Sequence, residues 1–89
     1  MLYALICKDK PDHLETRKAN RDAHLAYGAE QGKTHFAGPL MDDAGGMMGS
    51  LIVIDVENRA EAESWLANDP YSQADLFAST EICAWKQVV

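Results

Sequence analysis

Hydrophobic positions along the chain fall into short continuous runs and longer spaced sets. The run Leu2 to Lys8 is apolar on both alternating faces, with Leu2, Ala4 and Ile6 on one and Tyr3, Leu5 and Cys7 on the other. A strand open to water on one side alternates apolar with polar, so this pattern predicts a strand covered on both sides. Ser50 to Val56 repeats the pattern as far as Asp55. Thr34 to Leu40 predicts another strand, closed by Gly38-Pro39. Phe77 to Val88 predicts the last, with Ile82, Ala84 and Val88 set against Glu81, Cys83 and Trp85. Asp9 to Asp12 reads as a turn, and Met41 to Gly49 as a loop rich in Asp, Gly and Met.

Two segments have helical spacing. Leu14 to Gln31 predicts a helix stopped by Gly32, a residue suited to the left-handed position past a helix end. Its buried face is open between two stripes, one of Leu14, Arg21, Leu25, Gly28 and Ala29, the other of Ala19, Ala23, Ala26 and Tyr27. His24 falls at the boundary of the first stripe, one turn from Arg21 and two from Arg17. Asn58 is a good N-cap, and Glu61 three residues later makes something close to a capping box. Ala62, Trp65 and Leu66 follow at i, i+3 and i+4. That helix stops by Asn68. Asp69-Pro70 then starts a short helical turn, with Asp as cap and Pro at the first position.

The resulting order, βαββαβ, predicts an α+β ferredoxin-like fold: a four-stranded antiparallel sheet with two helices on one face. One domain spans residues 1–89. The helices can cover only one sheet face, yet the first and third strands are apolar on both. A second copy covering the open face is the simplest resolution, so a homodimer through that face is expected.

Composition narrows the classes. A chain of 89 residues buries only about 60–65% of the surface its unfolded form exposes, which favours self-association. The net charge of −6 offers no basic surplus to neutralise phosphates, which argues against nucleic-acid or anionic-membrane partners. No apolar run approaches the roughly 20 residues of a membrane span. A strand from Leu2, with no basic leader, predicts no signal peptide. Cys7 and Cys83 form neither a CxxC nor a metal spacing, and both lie in apolar strand contexts. Buried free thiols in the cytoplasm are expected.

Candidate chemistry centres on His24 and Asp69. An imidazole held by a carboxylate has a fixed tautomer and a stabilised charged form, which suits directed proton transfer. From position alone, a boundary histidine hydrogen-bonded to whatever lies near is the better expectation for His24; Asp69 reads as a helix cap, which leaves one carboxylate oxygen free, so both of its readings can hold. Tyr71 is either a core aromatic or a hydroxyl donor to a ligand. Arg17 and Arg21 share the helix face of His24 and could form a cationic wall that binds an anionic substrate or stabilises a developing oxyanion. For Arg17, a solvated arginine pairing with Asp22 or another acid is the better expectation; for Arg21 the two readings balance. His13 and His24 on one helix would be about 16 Å apart, too far to share an ion. His35 has no carboxylate or thiol companion, and Asp42-Asp43 lack calcium-loop spacing, so no metal site is expected. No phosphate-binding glycine motif, nucleophile elbow or dinucleotide fingerprint occurs. Cys7 reads as core.

The order Arg21-x-x-His24-Leu25, Gly32, Ala37-Gly38-Pro39 and Asp69-Pro70-Tyr71 resembles the YCII-related (YciI-like) family of small bacterial proteins over nearly the whole chain. That family is similar in turn to ferredoxin-like dimers such as muconolactone isomerases. The resemblance implies a dimeric α+β barrel with a site centred on His24 and Asp69. Arg21, Gly38, Pro39 and Tyr71 would line its cleft. One branch of the family eliminates chloride from chlorinated hydroxyquinols. This chain departs from longer members in a short connection over Met41 to Gly49 and lacks a proline expected near Ile82 to Lys86.

The expectation is a cytoplasmic homodimeric enzyme without metal or organic cofactor. It would use His24 and Asp69 in lyase or isomerase chemistry on a small polar cyclic or aromatic molecule. A non-catalytic ligand-binding or interaction module on the same barrel is the alternative, and a monooxygenase of related fold, cofactor-free or haem-linked, ranks third.

Overall fold

The computed structural model describes residues 1–89. It runs β1 (Leu2–Asp9), α1 (Leu14–Gln31), β2 (Thr34–Met41), β3 (Met47–Asp55), α2 (Arg59–Ala67), α3 (Pro70–Gln73) and β4 (Phe77–Trp85). The strands form one sheet in the order β2-β3-β1-β4, with every neighbouring pair antiparallel. This is the ferredoxin-like arrangement.

Alternation assigns the two faces. Tyr3, Leu5 and Cys7 point with Ile52, Ile54 and Val56 into a core closed by Ala62, Trp65 and Leu66 of α2. The cap of α2 is local: Asn58 Oδ1 accepts the Glu61 N–H at 2.9 Å, and a Glu61 carboxylate oxygen accepts the Glu57 N–H at 3.0 Å. Helix α1 ends at Gly32, which has φ +63°, and the Gly32 N–H returns to the Gly28 carbonyl. It touches the apolar core through Tyr27, whose ring packs at 5.1 Å from Trp65 and whose hydroxyl donates to the Trp65 carbonyl.

On the other sheet face Ala4 and Val53 are cross-strand neighbours, and both are buried in the single chain. Phe36 and Trp85, from the two edge strands, meet edge-on on this face at 5.5 Å. Phe36 itself remains 42% exposed, and Leu2, Ile6 and Leu51 are half-buried.

Several expectations are corrected. Strand β4 stops at Trp85 rather than Val88, because Trp85 pairs with Leu2 and β1 offers nothing further to bond. Beyond it Gln87 accepts a 2.7 Å hydrogen bond from His35 Nε2 on β2. The loop expected over Met41 to Gly49 shrinks to residues 42–46. Asp42 Oδ1 accepts the N–H groups of Ala44 and Gly46, which folds the connection into a tight turn and lets β3 begin at Met47. Gly49 is thereby drawn into the sheet, where a Cβ would overlap the Cys7 carbonyl oxygen. Cys83 is exposed, since it lies on the open face beside Ala4, whereas Cys7 is buried under the helices.

Candidate active site

The 3.6-residue repeat of α1 puts Arg17, Arg21 and His24 on one side, at i, i+4 and i+7. That side overlooks β2 and β3. Between them lies a cavity of about 240 Å³, lined by these three residues, Tyr71, Ser50 and a wall of Leu25, Ala37, Gly38, Pro39, Met47 and Ile52.

Asp69 enters through its local role. As the N-cap of α3 it accepts the Tyr71 N–H on Oδ1 at 3.0 Å, with Pro70 at the first helical position. The same carboxylate, fully buried, meets His24 Nδ1 at 2.8 Å through Oδ1 and 2.9 Å through Oδ2. An ionised carboxylate only accepts, so Nδ1 carries the proton and Nε2 is left as the acceptor. Nε2, on the far side of the ring from Asp69, is the edge available to the cavity. Tyr71 lies flat against this imidazole, with ring centroids 4.0 Å apart and planes 13° from parallel. Cap, imidazole and stacking ring thus form one unit that joins α1 to α3.

Arg17 departs from expectation. It pairs with an acid from elsewhere in the chain, one of the partners expected, but it is not solvated. It is 3% exposed, with Nε 2.6 Å and Nη2 2.9 Å from the two Asp9 oxygens, and Nη2 also donates to Ser50 Oγ at 2.9 Å. Its guanidinium carbon sits 4.7 Å from the centre of the Tyr71 ring. Burial works to lower the Arg17 pKa, but the Asp9 carboxylate more than offsets this and holds it above its ordinary value. Burial holds the Tyr71 phenol above its ordinary value, although Arg17 offsets part of the rise. Arg21 lines the cavity from an exposed position and makes no ion pair. Gly38 and Pro39 face α1 across the cavity.

Sequence reasoning missed Asp9, Ser50 and Met47. Asp9 and Ser50 carry no motif, and they meet Arg17 only because β1 and β3 are neighbours. The available signal was the shared helix face of Arg17 and His24. Cys7 lies behind the site; burial, and secondarily the Asp69 charge, pushes its thiol up to about 12, so it stays protonated and inert. His13 Nδ1 donates to the Pro11 carbonyl at 2.8 Å, and no three His, Cys, Asp or Glu side chains gather into a metal-binding group.

The chain is thus an α+β protein of the ferredoxin-like class, with a part-buried His–Asp contact beside a cavity under its first helix. Within that class, the chain belongs to the YCII-related family, whose model matches residues 1–86 as a YCII-related domain. It is 33% identical to "Protein YciI" of Escherichia coli O6:H1 over 97 aligned positions, covering 99% of both chains. An uncharacterized protein of Haemophilus influenzae matches at the same identity and coverage. Among solved structures, it is similar to the 5-chloro-2-hydroxyhydroquinone dehydrochlorinase TftG of Burkholderia phenoliruptrix AC1100, in complex with 2,5-dihydroxybenzoquinone. The TM-score is 0.89 and the identity 36%, over 99% of this chain and 96% of that one. An antibiotic biosynthesis monooxygenase, at TM-score 0.63 and 9% identity over the full length of both chains, shares the fold alone. No helix is long and apolar enough to cross a membrane.

Proposed function

We propose that the protein is a cytoplasmic acid/base enzyme of the lyase or isomerase type. Its substrate would be a small polar cyclic or aromatic molecule bound in the cavity under α1. His24 is the proton acceptor and donor through Nε2. Asp69 holds the tautomer and stabilises the imidazolium. Tyr71 keeps the ring in plane, and Arg21, Gly38 and Pro39 border the substrate.

The observation that carries this reading is the His24–Asp69 contact at 2.8 Å, with the opposite ring nitrogen available to a cavity of about 240 Å³. That space suits a single substituted ring. The full-length likeness to a dehydrochlorinase, at 36% identity, supports elimination from a hydroxylated ring as the first chemistry to try.

Two copies stacked through the open sheet face are the proposed assembly. Leu51, Ile6 and Phe36 supply an apolar surface there that is still partly exposed in the single chain, above the buried Val53. Replacing Phe36 with Glu should convert a dimer into monomers by light scattering after gel filtration, and an unchanged mass would refute the assembly.

The test of function is turnover of a panel of chlorinated hydroxyquinols and small unsaturated lactones by wild type, His24→Asn and Asp69→Asn. Proton transfer by a positioned base contributes ~10²–10⁴-fold, so both variants should lose activity in that range while keeping their circular dichroism. Turnover that survives His24→Asn would refute the base assignment. Tight binding of panel compounds with no turnover would favour a ligand-binding module.

A further inference from the structure

The protein carries a net charge of −6, yet no carboxylate lines the cavity. Asp9 and Asp69 both stand behind the wall, each engaged with the basic side chain in front of it. What faces the space is donor-rich. Arg17 has spent Nε and Nη2 on Asp9 and Ser50, and what is left of the guanidinium, Nη1, is engaged at most by the Tyr71 hydroxyl. Ser50 Oγ accepts from Arg17, which leaves its own proton free. Tyr71 presents a phenol whose oxygen Arg17 already polarises. His24 Nε2 is the base among them.

We propose that Arg17, clamped from behind by Asp9, is the oxyanion-binding residue of this site: its Nη1 edge, with the Ser50 and Tyr71 hydroxyls, receives the negative charge that forms on a ring oxygen of the substrate. The inference rests on the acid/base reading of His24. When Nε2 removes a proton from a carbon beside a ring carbonyl, the C–H bond breaks, its electron pair forms the C=C bond of an enolate, and the carbonyl π pair moves onto the oxygen. The proton stays on the imidazole, charge is conserved, and no other reactant is needed. The new oxyanion then needs fixed donors in a site shielded from water, and a buried guanidinium supplies them without reorganising. Asp9 is what makes this workable. It fixes the plane of the guanidinium bidentately and balances its charge while the site is empty. Arg21, exposed at the rim, steers an anion toward the cavity and contributes less once it is bound.

A substrate-independent probe is 4-nitrophenol, a single ring whose visible band reports its ionised form. Its ionisation in the presence of saturating protein is titrated for wild type, the double variant Arg17→Met/Asp9→Asn, Arg17→Lys and Arg21→Met. Bound to wild type, the ratio of phenolate to phenol should rise about ten-fold or more, the worth of one hydrogen bond from a charged donor. The double variant leaves no unpaired carboxylate, and it should abolish the rise while keeping a native circular dichroism spectrum. Arg17→Lys, whose single ammonium stays on Asp9, should abolish it too and covers the case in which the double variant fails to fold. Arg21→Met should lower it only a few-fold. The proposal is overturned if wild type binds the phenol without promoting its ionisation, or does not bind it. It is equally overturned if Arg21→Met abolishes the rise while either Arg17 variant keeps it. Because the readout is ionisation and not turnover, the two readings fail separately. A wild type that ionises the probe through Arg17 but turns over no substrate discards the enzyme and keeps the anion site. Turnover that needs His24 but survives in the Arg17 variants does the reverse.

Discussion

Helices α1 and α2 lie on the same sheet face and are held there by different physics. Helix α2 buries Ala62, Trp65 and Leu66, three apolar side chains in 9 residues, against Tyr3, Leu5 and Ile54. Helix α1, twice as long at 18 residues, buries one, and it is Arg17. Its apolar residues Leu14 and Leu25 are 41% and 54% exposed. Beyond the Tyr27–Trp65 contact, it is tied down by the Asp9 ion pair, the His24–Asp69 contact and the His24–Tyr71 stack. Apolar contact is non-directional and tolerates small shifts, whereas hydrogen bonds and ion pairs weaken steeply with angle and distance. The α2 half therefore supplies adhesion, and the α1 half supplies register. A cavity persists between α1 and β2 where the helix presents Arg17, Arg21 and His24 rather than an apolar stripe.

The sharpest break of this comparison sets one truncation in each half side by side. Trp65→Ala removes a buried aromatic and should cost about 3–5 kcal/mol in urea unfolding. Arg17→Met should cost a similar amount, about 3–5 kcal/mol, for another reason: it strands Asp9, whose side chain is only 7% exposed, as an unpaired buried charge. The two part on rescue. Adding Asp9→Asn should recover most of the Arg17 loss and none of the Trp65 loss. If Asp9→Asn leaves Arg17→Met no more stable, the α1 half is not held by charge pairing and the contrast collapses.

The α2 half was also the legible one. The Asn58 cap, the Ala62, Trp65 and Leu66 spacing and the both-faces-apolar strands are local signals, and each was readable from neighbouring residues. The Asp69-Pro70 cap was legible for the same reason. What it was next to was not: His24 stands 45 residues away, and only the packing of α1 on α3 brings the pair together. Arg17 was misjudged because its partners lie 8 and 33 residues off, on strands whose adjacency a helix-face argument does not contain. The end of β4 was overshot because a strand's length is set by its neighbour: β1 starts at Leu2, and pairing stops there. The loop from Met41 was overestimated because Asp42 folds the turn with its own side chain.

A smaller effect crosses the border between the halves. Cys7 sits in the apolar core, within reach of the Asp69 charge, and its thiol is pushed from 9.0 to about 12 by burial first and that charge second. The unfolded chain releases this proton from about pH 8.5 upward, while the folded chain keeps it. The unfolded state then binds fewer protons, so stability falls as pH rises. This group's contribution is fully present below about pH 8.5 and is lost progressively toward pH 12. The slope should reach about 1.4 kcal/mol per pH unit in urea midpoints measured across that window. Cys7→Ala should flatten it, at a fixed cost for the lost volume. A slope unchanged in Cys7→Ala would assign the alkaline loss to other groups and would place Cys7 outside the sealed core.

The smallest expected effect probes the α2 half for the flaw that the α1 half avoids. In the polar region the buried charged groups have partners, down to both oxygens of Asp9. In the apolar region Trp65 Nε1 is buried with no hydrogen-bond partner. A buried donor left unpaired costs about 1–3 kcal/mol of desolvation. Trp65→Phe removes that donor but also removes ring volume, which costs a comparable amount. The two changes oppose each other, so Trp65→Phe should shift the urea midpoint by less than about 1 kcal/mol, against the several lost in Trp65→Ala. Its 4-nitrophenol response should be unaltered, since Trp65 does not line the cavity. A loss in Trp65→Phe as large as in Trp65→Ala would mean that the indole N–H does have a partner, such as a bound water. Adhesion under α2 would then be directional too, and the distinction between the two helices would narrow to one of degree.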